Sequence, residues 1–369
     1  MKKVGILSMQ RVINYGSYLQ AYALKQLLLQ QGATSVEYID IIRGKNLKGY
    51  QSSGFPYYLS RLKALLKIIA AGRIIEKRKT LCFMKQVSKK LQEAWKELGL
   101  KDYPYYPPVD LAVVGSDEVF HCCQSTSWGF TTQLYGNIKE AKEVVSYAAS
   151  FGGTKLQDIF RLGIGEEIAK SLRRMKYISV RDDNSHKIVK NLTGREAEIN
   201  LDPVLAYGFK QEIVNSGPVD ENNYILLYSY PDRINDKKEI KAIKDFAKRT
   251  GKKLICVMSR YDWCDRAIIP TPLELFSWFK NADLVISETF HGTIFSIITE
   301  RQFATIGRES ALPKLTSMLQ PYGLTDRLVS KDNSIDKIFS NSIDYIGVNE
   351  KLGPLREKAY QYITKIFQS

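Results

Sequence analysis

The sequence is poor in the residue types that most often announce a chemistry. Its five cysteines, Cys82, Cys122, Cys123, Cys256 and Cys264, are odd in number and contain no CxxC pair. That argues against a disulfide framework or a structural zinc site and suits a reducing compartment. The three histidines, His121, His186 and His291, lie far apart and outside any HxxxH or HExxH spacing, so no metal site is expected. There is no GxxxxGK[ST] loop and no complete GxGxxG after a strand pattern, although "RLGIGEEI" (Gly163, Gly165) comes near in composition. Nucleoside triphosphate or dinucleotide use is thus unsupported. No apolar run approaches the ~20 residues of a membrane span. The opening "MKKVGILSMQR" turns polar too soon for a secretory leader. These absences together point to a cytoplasmic protein.

Negative charge is scarce as well. Against 54 Lys and Arg stand 39 acids, a net charge of +15, which favours anionic partners. No nucleic-acid motif accompanies the charge, so no nucleic-acid partner is expected. The excess is concentrated between Arg43 and Lys85, where eleven Lys and Arg face a single acid, Glu76. Within that run Tyr58, Leu62, Leu65, Leu66 and Ile69 fall at helical spacing, with Arg61, Lys63 and Lys67 between them. Two readings are open: an amphipathic helix on an anionic membrane surface, or a helical excursion packed on its own domain.

What the chain does have is alternation of short apolar runs and helical patterns. Strands are expected at Val4–Ser8, Ser35–Ile41, Asp110–Val114, Glu143–Ala148, Tyr177–Arg181 and Glu198–Leu201. A helix is expected over Ser17–Gln31. After a polar linker, Lys210–Asn223, the series resumes. Strands are expected at Tyr224–Tyr230, Lys253–Ser259, Asp283–Ser287 and Phe303–Gly307, and helices at Asp236–Thr250, Thr271–Asn281, Thr293–Thr299 and Glu350–Phe367. The fold class is therefore α/β, with two Rossmann-like domains facing across a cleft and ligands beyond the carboxyl ends of the strands. The expected divisions are 1–209 with the basic insertion at about 43–90, then 222–345, then a C-terminal helix over 346–369 that can pack back on the N-terminal domain.

Four strand ends carry candidate chemistry. In "RVINYGSYLQAYAL" the turn Asn14, Gly16, Ser17 opens a helix; Gly16 permits close backbone approach, and Ser17 is a candidate N-cap beside N–H groups that can take an anion. In "DLAVVGSDEVFH" Asp117 and Glu118 follow a strand, placed either to act on hydroxyl groups or simply to open a helix capped by Ser116. In "YISVRDDNS" Arg181 can grip a carboxylate or phosphate, or pair with its neighbouring acids. In "DLVISETFHGTIFSI" His291 precedes Gly292 and Thr293 at an expected helix start, where a proton carrier and an anion site coincide.

Taken together, "INYGSYLQAYAL", "VVGSDEVF", "SYAASFG", "ISVRDDNS", "LDPVL", "ADLVISETFHGTIFSI" and "GLTDRL" resemble, in order and over nearly the whole chain, the polysaccharide pyruvyl transferase family. The resemblance implies a fold similar to the two-domain GT-B glycosyltransferases. It also implies transfer of the pyruvyl group of phosphoenolpyruvate to a sugar, as a cyclic ketal. The acceptor would belong to a capsular, exopolysaccharide or cell-wall glycan, free or lipid-linked at the inner membrane face. No cofactor is implied beyond the donor itself. Under this reading His291 is the general acid and Arg181 binds the donor's anionic groups. The turns at Gly16-Ser17 and Gly292-Thr293 add N–H donors, and Asp117 or Glu118 orients or deprotonates the acceptor. Some members of the family carry Arg two residues before the histidine; here that residue is Thr289. Arg11, Arg308 and Arg327 are the candidates to replace it. The alternatives are a GT-B glycosyltransferase using a nucleotide sugar, or a non-catalytic scaffold of a membrane glycan assembly complex.

Overall fold

The computed structural model describes residues 2–47, 74–123, 126–309 and 311–368. The apolar stripe from Tyr58 to Ile69 lies outside them.

Two parallel sheets organise the chain. The first is built from β1 (Lys3–Leu7), β2 (Ser35–Tyr38), β3 (Val109–Val114) and β4 (Ala141–Ser146), in the order β2-β1-β3-β4. A parallel bridge from Ala149 to Val180 carries it on to β5 (Ser179–Val180) and β6 (Glu198–Ile199). The second holds β7 (Tyr224–Tyr228), β8 (Lys253–Val257), β9 (Arg266–Ile268), β10 (Leu284–Ser287), β11 (Phe303–Ile306) and β12 (Leu328–Val329). Its order, β9-β8-β7-β10-β11-β12, is the doubly wound Rossmann order 3-2-1-4-5-6. Strands buried on both faces read as unbroken apolar runs, and "YILLY" of β7 is buried at every residue.

Helices cover the sheets: α1 (Tyr15–Gln30), α2 (Ile74–Leu98), α3 (Leu156–Arg161), α4 (Gly165–Arg173), α5 (Asp183–Thr193), α6 (Pro203–Tyr207), α7 (Lys210–Asn215), α8 (Lys237–Thr250), α9 (Leu275–Lys280), α10 (Phe290–Ile298), α11 (Leu312–Leu319), α12 (Ile335–Phe339) and α13 (Tyr345–Gln368). The start of the polar linker is helical, because Lys210–Asn215 forms α7; only 216–223 remain irregular. The helix expected from Thr271 begins at Leu275, after a turn in which Glu274 accepts the Thr271 N–H.

The halves share a core. One apolar cluster joins Leu19, Leu24 and Leu205 to Tyr228, Phe276 and Phe295. Tyr15 Oη donates to Pro270 O at 2.8 Å, and α13 returns to the first sheet, where Tyr362 Oη donates to Ser146 O at 2.7 Å. The carboxyl ends of β1 and β3 therefore face those of β7 and β10. These are the points where each strand order reverses, the usual place for a ligand crevice. Among the described residues, no helix is long and apolar enough to cross a membrane.

Candidate active site

Between the two sheets lies a cavity of about 1210 Å³, larger than the ~300–1000 Å³ usual for a single small ligand. Its walls differ in sign. Residues before 210 contribute Asp117, Glu118, Asp182 and Asp183 against Lys155, whereas residues after 223 contribute Arg233, Arg308 and Lys314 against Glu288 and Glu309.

His291 stands where these walls meet. Its helix begins three residues earlier than the apolar pattern suggests, because Thr289 is the N-cap: extended at φ −115°, it accepts the Gly292 N–H on Oγ1 at 2.8 Å. His291 thus sits in the first turn of α10. The Gly292 N–H is consumed by the cap, and the Thr293 N–H by Thr289 O, so neither is left for a substrate anion. The cap also accounts for the missing arginine, since a guanidinium has no acceptor atom for this role.

The imidazole, 5% exposed, packs against α1. A Cβ placed on Gly16 would lie 2.3 Å from His291 Nδ1, so only glycine lets the helix approach this closely. Asn14, not Ser17, caps α1, its Oδ1 accepting the Ser17 N–H at 2.6 Å. Ser17 is thereby free to donate its hydroxyl to Asp117 Oδ2 at 3.1 Å. Asp117 and Glu118 belong to no helix. The chain turns after β3 with Asp117 at φ 74°, a left-handed conformation that costs a non-glycine residue of order 1 kcal/mol and turns the carboxylate toward α1.

Behind His291 lies a buried pair that motif reading did not single out as site residues together. Asp202 caps α6, accepting the Val204 N–H at 3.0 Å. Its Oδ2 takes Arg181 Nη1 at 2.8 Å and lies 3.6 Å from His291 Nε2. Burial alone would push the Asp202 carboxyl up. The nearby His291 imidazole and then the Arg181 guanidinium outweigh it and hold the group well below the usual carboxylate range. Arg181 stays charged although buried, because Asp202 and then Asp117 oppose the desolvation. Nε and Nη2 of Arg181, and Nε2 of His291, are buried without a hydrogen-bond partner among the described residues. The signal for Asp202 was present in the sequence: an Asp-Pro just past a strand, where a cap is expected.

The family model for polysaccharide pyruvyl transferase matches residues 14–310, which span every contact just described. The chain belongs to the polysaccharide pyruvyl transferase family. No curated protein matches it. Several solved structures align over its length. UDP-GlcNAc 2-epimerase from Neisseria meningitidis is 11% identical, covering 100% of this chain and 98% of its own, at a TM-score of 0.45. The Methanocaldococcus jannaschii UDP-GlcNAc 2-epimerase in complex with UDP-GlcNAc and UDP is 12% identical, covering 100% and 99%, at 0.47. The Streptomyces sp. SF2575 glycosyltransferase SsfS6 is 12% identical, covering 100% of both chains, at 0.46. These likenesses are remote, and the assignment of two facing Rossmann-like domains rests on the sheets themselves.

In this pyruvyl transferase fold the expected site residues separate into groups. Asn14, Ser17, Asp117, Glu118, Thr289, His291 and Arg308 line the cavity. Arg181 does not. It opens onto a neighbouring cavity of about 480 Å³, behind the Phe290 ring. That ring is held between two cations, with Arg181 Cζ at 4.4 Å and Lys314 Nζ at 4.3 Å from its centroid. Lys314, which the sequence did not mark, donates to Glu118 Oε1 at 2.7 Å across the cleft. Burial works against ionisation of Glu118, but the Lys314 charge and hydrogen bond hold its pKa at about 2, so Glu118 is a clamp on Lys314 and a weak base. Arg308 makes a two-pronged pair with Glu239 at 2.9 Å and 2.9 Å. Arg11 is paired with Asp40 in a side cavity. Arg327 is buried among Ile338 O, Asn341 O and Asp326, where it ties a helix end and does not reach the cleft. Glu288, one residue before the cap, is 4% exposed, and burial raises its pKa. Its neighbour Tyr230 is likewise pushed up by burial. Among the described residues, no group of three or more His, Cys, Asp and Glu is placed to hold a metal ion.

Proposed function

We propose that the protein transfers the pyruvyl group of phosphoenolpyruvate to two hydroxyls of a sugar in a capsular, exopolysaccharide or cell-wall glycan, forming a cyclic ketal and releasing inorganic phosphate. The observation that carries the reading is His291 held against buried Asp202 at the junction of a basic and an acidic wall. The chemistry needs these parts. The methylene carbon must gain a proton, which leaves the central carbon electrophilic; one hydroxyl then adds, the second closes the ring as phosphate leaves, and both hydroxyl protons must be removed.

Asp202 Oδ2 lies 3.6 Å from Nε2 and helps hold the ring at the junction of the walls, where in this reading His291 delivers the proton. The donor is trianionic at its most charged, and the basic wall of Arg233, Arg308 and Lys314 suits it. Arg181 and Lys314 flank one aromatic ring, so displacement of Phe290 brings both cations to a single anion. Asp117, steadied by Ser17, is the base that receives the acceptor's protons on the acidic wall. The basic run from Arg43 to Lys85 would hold the enzyme at an anionic bilayer, where a lipid-linked acceptor resides.

Mass spectrometry of glycan precursors incubated with phosphoenolpyruvate and the protein is the direct test. A product heavier by one pyruvate ketal, carrying a new carboxylate, supports the reading. Protection against thermal unfolding by UDP- or GDP-sugars, with none by phosphoenolpyruvate, would instead make it a nucleotide-sugar enzyme.

A further inference from the structure

Beside the main cavity lies a side cavity of about 360 Å³ that no part of the donor chemistry uses. The two adjoin at Met9, Val12 and Trp128, which line both, so a chain of sugars bound in one lies beside the other. The side cavity is built wholly from residues before 130, on the acidic-wall side. Its outer face is aromatic. Tyr103 is 60% exposed and Tyr106 38%, and Trp128 is half-buried opposite the loop that carries them. These rings do not wander freely: Tyr103 packs edge-on against Tyr105, whose hydroxyl donates to Glu37. Polar groups sit beside the rings. Asp102 is exposed, and Arg11 spends Nε and Nη2 on Asp40 and Lys101 O, which leaves Nη1 without a partner among the described residues.

Flat aromatic faces with a few hydrogen-bonding groups at their edges match the chemistry of a pyranose, whose axial C–H face is apolar and whose rim is hydroxylated. Two large exposed rings on one short loop otherwise cost solvation without a packing return. Resting on the proposed pyruvyl transfer, we infer that this side cavity is an acceptor subsite: it takes the uncharged sugar one or two units beyond the one that receives the ketal. The acceptor class is then an oligosaccharide or its lipid-linked form, not a free monosaccharide. The glycan chain enters along Tyr103, Tyr106 and Trp128 and presents its reacting sugar to Asp117, while the small donor occupies the opposite wall.

Binding can be read without turnover, which separates this inference from the reaction itself. The probes are neutral hexose and N-acetylhexosamine oligosaccharides of one to four units, followed by protein fluorescence and saturation-transfer NMR. Trp128→Phe assigns the signal among the four tryptophans. Affinity is expected to rise about 10-fold from one to three units, and the rise to disappear in Tyr103→Ala and Tyr106→Ala. Both tyrosines are exposed, so these variants fold. With a turning-over enzyme, the same substitutions raise KM in proportion to acceptor length. Equal affinity for all lengths, or length dependence surviving both substitutions, overturns the subsite. A response to phosphatidylglycerol vesicles with none to sugars also overturns it, by making the cavity a lipid contact. Failure of pyruvyl transfer with length-dependent sugar binding intact would sink the reaction and leave the subsite standing.

Discussion

The two walls of the cleft are built by different means. On the N-terminal side, acids come from strand-end loops: Asp117 turns into place with φ 74°, and Asp202 is fixed as a cap. On the C-terminal side, helices do the placing. His291 rides in the first turn of α10, and Lys314 projects from α11. The acid side is cross-tied within itself, through Ser17, Arg181 and Asp202. The basic side reaches over to it, at His291–Asp202 and Lys314–Glu118. Neither wall holds both His291 and the carboxylate beside it, so the pair exists only when the domains meet.

Removing the point of meeting has the largest expected effect. His291→Ala should lower pyruvyl transfer by ~100- to 10,000-fold while circular dichroism and thermal unfolding show an intact fold. Near-normal turnover would remove His291 from the chemistry and leave Asp202 as a structural cap. Gly16→Ala attacks the same junction from the other wall without touching a charge. The added methyl would overlap the imidazole, and a displacement of about 1 Å costs on the order of 100-fold. The crystal structure of that variant should show the ring rotated away from α1.

How much of this was readable beforehand follows from the same contrast. The longer strands and the alternation were legible, because parallel strands buried on both faces leave apolar runs that punctuation cannot hide, whereas the short β9 and β12 were not expected. The basic wall's histidine was legible from its place after β10. Its helix starts at Phe290, three residues before the expected Thr293, because the apolar run that signals the helix begins only after "SETFHGT" while the cap is Thr289. Lys314 and Glu288 were invisible for another reason. Their roles come from contacts 196 residues apart for Lys314–Glu118, and from burial for Glu288. Arg181 was found by its position, but only the fold shows its guanidinium behind Phe290 and tied to Asp202.

Two substitutions separate binding from architecture. Arg181→Ala leaves Asp202 buried beside an unpaired space, and breaking such a pair costs about 3–5 kcal/mol, measurable by urea unfolding. In what folds, the KM for phosphoenolpyruvate should rise more than that for the sugar; the opposite split would put Arg181 on the acceptor side. Lys314→Met is milder and depends on pH. Glu118 has its folded pKa depressed from 4.5 to about 2, so its pairing stabilises fully above the unfolded pKa and is lost as pH falls from about 4.5 toward 2. The variant should therefore lose up to ~3 kcal/mol at pH 7 and converge on the wild type near pH 2. A constant deficit across that range would show that Lys314 acts through packing on Phe290 alone.

The smallest effect tests whether the basic wall carries a second proton. Glu288 is raised, not depressed, since burial dominates over its hydrogen bond from the Tyr230 N–H. Its folded form therefore keeps a proton to higher pH than the unfolded chain does. Stability falls as pH rises from the unfolded pKa, 4.5, through the folded one, and the cost persists above that window. Glu288→Gln removes an ionisation that burial opposes while keeping the acceptor oxygen for Tyr230. Its melting temperature should exceed the wild type at pH 7–8, and the gain should vanish below about pH 4. If the same variant also loses turnover, with a shifted pH profile, then proton handling is shared between the walls, and the division into an acidic base-bearing side and a basic donor-binding side no longer holds. If turnover is retained, Glu288 only shapes the turn ahead of Thr289, and His291 remains the proton carrier of its wall.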